Sequence, residues 1–209
     1  FALLFELNRP LDELRQMLAD VRAGKVWQAD RFANTPPEMK RLNDVAFSGD
    51  GEPTCVPELP EALGVAGEEL DAAGRSGVPL IVITNASHLR SAAFRAARKV
   101  LDVRASEIWA KLDAGTEAWF HKVNRPHPSV HLEEIVSNIL AVAVARPVVI
   151  QTLWPRVDGQ APPAQEVEAY CTHLRGLLAS GGSIERVQLH TIARSPREPN
   201  ASALSNDEL

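Results

Sequence analysis

Apolar residues recur along this chain at two periods, helical and strand-like, and the two alternate. Leu11, Leu14, Leu18 and Val21 stand at helical spacing behind Asn8-Arg9-Pro10, with Asn8 as the cap, and Gly24 closes the run. This predicts a helix over 10–23. Residues 25–43, with Pro36-Pro37, predict an irregular connection with a short helix over 37–42. A short strand is predicted over 44–48 and an alanine-rich helix over 57–74, weakened by Gly64 and Gly67. The β-branched run Pro79-Leu80-Ile81-Val82-Ile83-Thr84 predicts a strand covered on both faces. Ser87 is the expected cap of a helix to Val100, with Leu89, Ala93, Phe94 and Ala97 inward.

The alternation continues with a strand over 107–112, a short helix over 116–122 and a loop over 124–129. A helix over 131–145 follows, with Leu132, Ile135, Val136, Ile139 and Leu140 inward, then a strand over 147–153. Asp158-Gly159 marks a turn in the loop 157–163. The helix over 165–179 carries Val167, Tyr170, Leu174 and Leu178 on one face, Gly181-Gly182 ends it, and a strand spans 184–192. The tail from Ala193, rich in Pro, Ser and Asn, is expected to wrap the surface. Strands thus begin at intervals of roughly 30–40 residues, the size of βα units, which make a parallel sheet with right-handed crossovers. Part of a (β/α) barrel and a flavodoxin-like open sheet both fit this periodicity.

Composition narrows the function classes. The 209 residues suit one domain spanning 1–209, and 45% hydrophobic with 23% charged residues argues against disorder. A net charge of -5 carries no global basic signature for nucleic acid. Cys55 and Cys171 make no disulfide framework, which points to a reducing, cytoplasmic setting and to unbridged thiols. No apolar run is long enough to span a bilayer, so no membrane partner is expected.

The chemistry gathers at Val45-Ala46-Phe47-Ser48-Gly49-Asp50-Gly51-Glu52-Pro53-Thr54. A buried strand runs into a turn where Gly49 and Gly51 permit positive φ and close approach of a ligand. Pro53 biases Glu52 toward an extended backbone. A carboxylate so held at the carboxyl end of a strand stands where α/β sheets bind ligands.

This stretch resembles the second-strand motif of radical S-adenosylmethionine (radical SAM) enzymes, in the variant F-S-G-x-G-E-P-T. Ile83-Thr84-Asn85 is similar to that family's third-strand end, Lys111-Leu112-Asp113-Ala114-Gly115 to its fourth, and Val187-Gln188-Leu189-His190-Thr191 to its sixth strand, with Asn124-Arg125-Pro126 following the fourth. The resemblance implies a partial parallel (β/α) barrel of the radical SAM type, with five strands visible and the first missing. It implies S-adenosylmethionine as cofactor, with Glu52 meeting its α-amino group and Gly49, Asp50, Gly51, Thr84, Asn85, Lys111, Asp113 and Gln151 around it. It also implies a [4Fe–4S] cluster, reductive cleavage to a 5′-deoxyadenosyl radical, an electron donor such as flavodoxin or ferredoxin, and an RNA or protein substrate. The family holds its cluster with three cysteines, usually C-x3-C-x2-C, and this chain departs from that pattern. The chain opens on Phe1, and Ser205 and Glu208 near its end have capping-box spacing. The expectation is therefore a piece of a longer enzyme whose cluster-binding segment precedes Phe1. The alternative is a cluster-less barrel that binds S-adenosylmethionine, a nucleotide or a protein partner. A hydrolase or isomerase using Glu52 and Asp113 as a carboxylate pair ranks last, for want of a nucleophile.

Several residues keep a structural alternative. Lys111 and Asp113, two apart on one strand, share a face and either bind ligand or pair with each other. Thr84 and Asn85 either meet ligand or form a cap or Asx turn. Gln151 and Gln188 are amides in apolar strands that need hydrogen-bond partners. Arg125 either reaches an anion or is solvated. His121, His127 and His131 suggest metal ligands, but His127 lies between two prolines and is not on a helix face with His131; no metal site is expected. Trp27, Trp109, Trp119 and Trp154 are scattered, as packing residues are.

Overall fold

The alternating pattern folds as an α/β structure. A computed structural model describes residues 8–49, 51–196 and 198–209, the side chains of residues 8–10 excepted. The Asn8 cap and Asp50 therefore lie outside the described part. Among the described residues the helices are α1 (Asn8–Arg22), α2 (Leu59–Ala72), α3 (Ala92–Leu101), α4 (Glu117–Val123), α5 (Leu132–Ala143) and α6 (Ala164–Ala179). The strands are β1 (Val45–Phe47), β2 (Leu80–Thr84), β3 (Ser106–Lys111), β4 (Val148–Leu153), β5 (Arg156–Val157), β6 (Ile184–His190) and β7 (Ala201–Ser202). The main sheet is five-stranded in the order β1-β2-β3-β4-β6, and its paired strands run parallel. An unbroken sequential order is that of a barrel wall; a flavodoxin-like sheet reverses its order at a switch point. The fold is thus of the partial-barrel type. No helix among the described residues is long and apolar enough to cross a membrane.

Within the span expected as one domain, the chain gathers into two compact units. The first runs to Val82 and includes Ser91–Glu107. In it β1 pairs with β2 from Val45↔Leu80 to Phe47↔Val82. Leu59, Leu63, Ala66 and Leu70 of α2 are buried, as are Phe94, Ala97 and Leu101 of α3. Gly67, read from the sequence as a weak point of α2, has a packing reason. A Cβ there would lie 2.5 Å from the Arg104 guanidinium carbon, and Arg104 donates instead to the Gly67 carbonyl at 2.9 Å and to Asp71. Gly24, at φ 72, ends α1 as expected, and the connection that follows contains three short 3-10 turns.

The second unit comprises Ile83–Arg90 and Ile108–Leu209. From Ile108 in β3 and Val148 in β4, every second residue is fully buried. Ile108, Ala110 and Leu112 of the β3 stretch are fully buried, as are Val148, Ile150 and Thr152 of β4. The Tyr170 hydroxyl on α6 lies 2.6 Å from Thr152 Oγ1, so this is the helix-covered face. The intervening residues Trp109, Lys111, Gln151 and Leu153 are only half-buried.

Three expectations are corrected. Ser87 does not start α3; Ser91 does, its Oγ accepting from Phe94 N at 3.0 Å. On α6 the buried residues are Glu166, Tyr170 and Leu177, whereas Leu178 is 54% exposed. The loop and tail contain a second small sheet, β5 antiparallel to β7, absent from the sequence reading. The turn at Asp158-Gly159 (φ 52 and 75) and the helix stop at Gly181 (φ 84) stand as expected.

Candidate functional site

In the first unit, β1 delivers the chain into the glycine turn. Gly49 adopts φ 146, a conformation that a side chain disfavours, and its carbonyl accepts from Gly51 N at 2.8 Å. Among the described residues nothing lies within 4 Å of where a Cβ of Gly51 would be. Packing among the described residues does not require a glycine there, which leaves open space beside the loop. Glu52 is extended (φ -97, ψ 109), as Pro53 dictates, and caps a 3-10 turn over Pro53–Cys55. Its Oε1 accepts from Thr54 N at 3.1 Å and Thr54 Oγ1 at 2.5 Å, and Thr54 is buried. The carboxylate is thereby oriented by its own loop. Burial, and then the charge of Glu52, raise the pKa of the neighbouring Cys55 thiol. Both cysteines are free thiols.

In the second unit, Thr84 and Asn85 end β2 in a double turn. Thr84 Oγ1 accepts from Ala86 N at 3.0 Å, and Asn85 Oδ1 accepts from Ser87 N at 2.9 Å and Ser87 Oγ at 2.6 Å. This is the Asx-turn alternative, and it explains why Ser87 caps no helix. Ala86 between them takes φ 64 with its side chain buried, a strained conformation for a non-glycine residue. Asn138 of α5, itself buried, holds the strained turn by donating to the carbonyls of Ala86 (3.1 Å) and Ser87 (3.2 Å).

Lys111 and Asp113 pair at 3.3 Å, with the Asp113 side chain 2% exposed and that of Lys111 35%. Asp113 also accepts from Leu153 N at 2.8 Å and Asn124 Nδ2 at 2.7 Å. It locks the end of β3 to β4 and to the loop after α4; Lys111 is the more accessible partner. The register Lys111↔Gln151↔Gln188 sets three polar side chains in one row on the half-buried face, and the next row contains Leu153↔His190. On the row below, Arg186 reaches over the Trp109 ring (5.8 Å to its centroid). A parallel sheet normally buries both faces under apolar residues. Here one face is covered at β3 and β4, and the other, which also buries Val149, offers a cation, two amides and an imidazole at Lys111, Gln151, Gln188 and His190. Arg125 is tied to Glu198 at 2.9 Å, at the edge of a cavity of about 210 Å³ also lined by Leu153, Pro155 and Ile192.

Sequence reasoning missed Glu166 and Asn138. Glu166 is 2% exposed; it accepts from Gly115 N, from Thr116 N at 3.2 Å and from Thr116 Oγ1 at 2.7 Å. A Glu in the first turn of a helix is ordinarily a solvated charge, and nothing local marks this one as buried. Asn138 stands inside an apolar helical run, a signal that was present in the sequence.

Neither a family model nor a curated protein matches the chain. Among solved structures it is similar to a domain of pyruvate-formate lyase-activating enzyme from Bacteroides vulgatus ATCC 8482, with a TM-score of 0.53 and 20% sequence identity, over 79% of this chain and 88% of that one. At that identity the two share a fold.

Proposed function

We propose that the chain is the S-adenosylmethionine-binding part of a radical SAM enzyme. The observation that carries this reading is the row Lys111–Gln151–Gln188, polar groups on a sheet face that an α/β fold has no structural reason to make polar. The oriented Glu52 carboxylate and the open space at Gly51 support it, as does the fold shared with the activating-enzyme domain, a radical SAM family member. Each unit has its own part. In the first, Glu52 accepts from the cofactor's α-ammonium, a charge-assisted bond to a group already held in place, with Gly49 and Gly51 bringing backbone close. In the second, Lys111 faces the cofactor's carboxylate, and Gln151 with the turn at Thr84 and Asn85 takes hydroxyl groups. Asp113 acts by holding Lys111 and the end of β3.

The residues present do not fit a [4Fe–4S] cluster. A cluster with one open iron needs three neighbouring thiolates, and Cys55 and Cys171 belong to different units. The cluster and its electron chemistry are assigned to no residue of this chain; in this reading its cysteines lie in other residues of the enzyme, as do the contacts to a flavodoxin- or ferredoxin-like donor and to an RNA or protein substrate.

Equilibrium dialysis with S-adenosylmethionine tests the binding. The 209-residue chain should bind weakly, and Glu52→Ala should weaken binding about tenfold to a hundredfold, the loss of a charge-assisted hydrogen bond. Lys111→Ala should weaken S-adenosylmethionine more than its decarboxylated analogue. Affinity unchanged in Glu52→Ala removes Glu52 from the site. Under dithionite the bare chain should form no 5′-deoxyadenosine, whereas a protein carrying a first strand with three cysteines should form it. Binding without product in that longer protein would favour the cluster-less barrel.

A further inference from the structure

Glu117, His121 and His131 come together on the surface of the second unit. Glu117 and His121 stand four apart on α4, so they share a helix face. His131 is the residue before α5 and arrives from the other side of the loop 124–130. His121 Nε2 lies 3.0 Å and His131 Nδ1 2.9 Å from the same oxygen, Glu117 Oε1. One ligand atom from each residue lies within 4.8 Å of the others. The carboxylate is held from behind, because Leu132 N donates to its other oxygen at 2.8 Å. That main-chain bond, then the two imidazoles, keep the Glu117 carboxyl below the usual carboxylate range, so it is ionised at neutral pH.

We propose that these three residues bind a divalent transition metal, with zinc the best match. Two imidazole nitrogens and one carboxylate oxygen form a donor set that suits zinc and its borderline neighbours cobalt and nickel, and does not suit magnesium or calcium. Ligand distances near 2.0–2.2 Å in a tetrahedron set ligand atoms roughly 3.3 Å apart. Each nitrogen already stands close to that separation from the shared oxygen, and all three ligand atoms lie within 4.8 Å of one another. The ion displaces the imidazole protons that now bridge to Glu117. Side-chain exposures of 45%, 42% and 62% for Glu117, His121 and His131 leave an entry path and room for water as the fourth ligand. His127 takes no part, its Nδ1 being engaged with Ser129 Oγ at 2.8 Å. Bound metal would clamp the start of α5 to α4, a stabilising link in a short helix.

The 209-residue chain, titrated with zinc chloride against a chromogenic chelator, provides the test. One zinc per chain is expected, with a rise in melting temperature. His121→Ala and His131→Ala should each weaken binding by at least about tenfold, the scale of losing a group that holds the metal. His127→Ala should leave it unchanged. Circular dichroism checks that each variant is folded, and Glu117→Gln repeats the test with helix contacts kept. The double variant Cys55→Ser, Cys171→Ser should bind as before, and cobalt should give a tetrahedral visible spectrum without a thiolate charge-transfer band. No binding, binding lost with the cysteines, or equal affinity in all three histidine variants would each overturn the proposal.

Discussion

Glu52 works first on its own loop. Its carboxylate caps the Pro53–Cys55 turn and at the same time bears on the Cys55 thiol, raising its pKa after the larger effect of burial. Cys55 should therefore react with iodoacetamide more slowly at neutral pH than an unhindered cysteine, since the thiolate is the nucleophile. Glu52→Gln keeps the acceptor for Thr54 and removes the charge, so the pH midpoint of Cys55 alkylation should move down. Mass spectrometry of the Cys55 peptide across pH reads this directly. An unmoved midpoint would mean that burial alone sets the thiol. Such dual duty was half visible beforehand: Pro53 foretold the extended Glu52, but nothing local foretold that Thr54 would turn inward and take the same oxygen.

At the scale of elements, one buried carboxylate joins α6 to the loop that starts α4. Glu166 satisfies Gly115 N and Thr116 N, and Thr116 Oγ1 in turn caps α4 by accepting from Trp119 N at 3.2 Å. His173 closes the same junction, its Nε2 lying 2.9 Å from the Gly115 carbonyl. Glu166→Ala leaves three donors without their acceptor, the buried Gly115 N–H among them, and should cost roughly 3 kcal/mol in urea unfolding. A loss below about 1 kcal/mol would show that water replaces the carboxylate. Gly115 makes this contact possible: a Cβ there would fall inside the α6 backbone at Glu166, Ala169 and Tyr170, so Gly115→Ala should destabilise by about 1–3 kcal/mol through overpacking. The same junction sets the phase of α6. Anchoring Glu166 and Tyr170 rotates Leu177 inward and leaves Leu178 exposed, which the apolar spacing of Val167, Leu174 and Leu178 had suggested otherwise.

For the whole molecule, the helix-covered side of the second unit is where stability should depend on alkaline pH. Tyr170 is the single tyrosine of the chain. Burial pushes its phenol up to about 12, against a partly offsetting hydrogen bond with Thr152 and with the charge of Asp113 adding to the rise. The folded pKa lies above the unfolded one, so the folded form keeps a proton that the unfolded chain loses between pH 10 and about 12. The stabilisation is complete below pH 10 and is lost as pH climbs through the folded value. A gap of this size corresponds to roughly 2–3 kcal/mol. Because there is one tyrosine, phenolate absorbance follows Tyr170 alone. Its titration should coincide with loss of structure, and Tyr170→Phe should remove that pH dependence between 10 and 12. A free titration near 10 in the folded protein would contradict the burial argument.

What the sequence determined by itself was local. Hydrophobic period distinguished helix from strand, and the stops at Gly24, Asp158-Gly159 and Gly181 followed from residues that tolerate positive φ. The glycine turn and the extended Glu52 were legible for the same reason: backbone preference acts over two or three residues. The tertiary structure decided what depends on distant partners. Strand register put Lys111, Gln151 and Gln188 in one row, and strand order separated the barrel wall from an open sheet. Asp113 became a lock rather than a free carboxylate because Leu153 and Asn124 arrive at it. Glu166 was buried because Gly115 lets a helix approach, and Glu117 gathered two histidines because a loop turns α5 back toward α4. A residue's type constrains its own backbone; its burial, its partners and its charge state are set by segments far along the chain, and no local pattern encodes them.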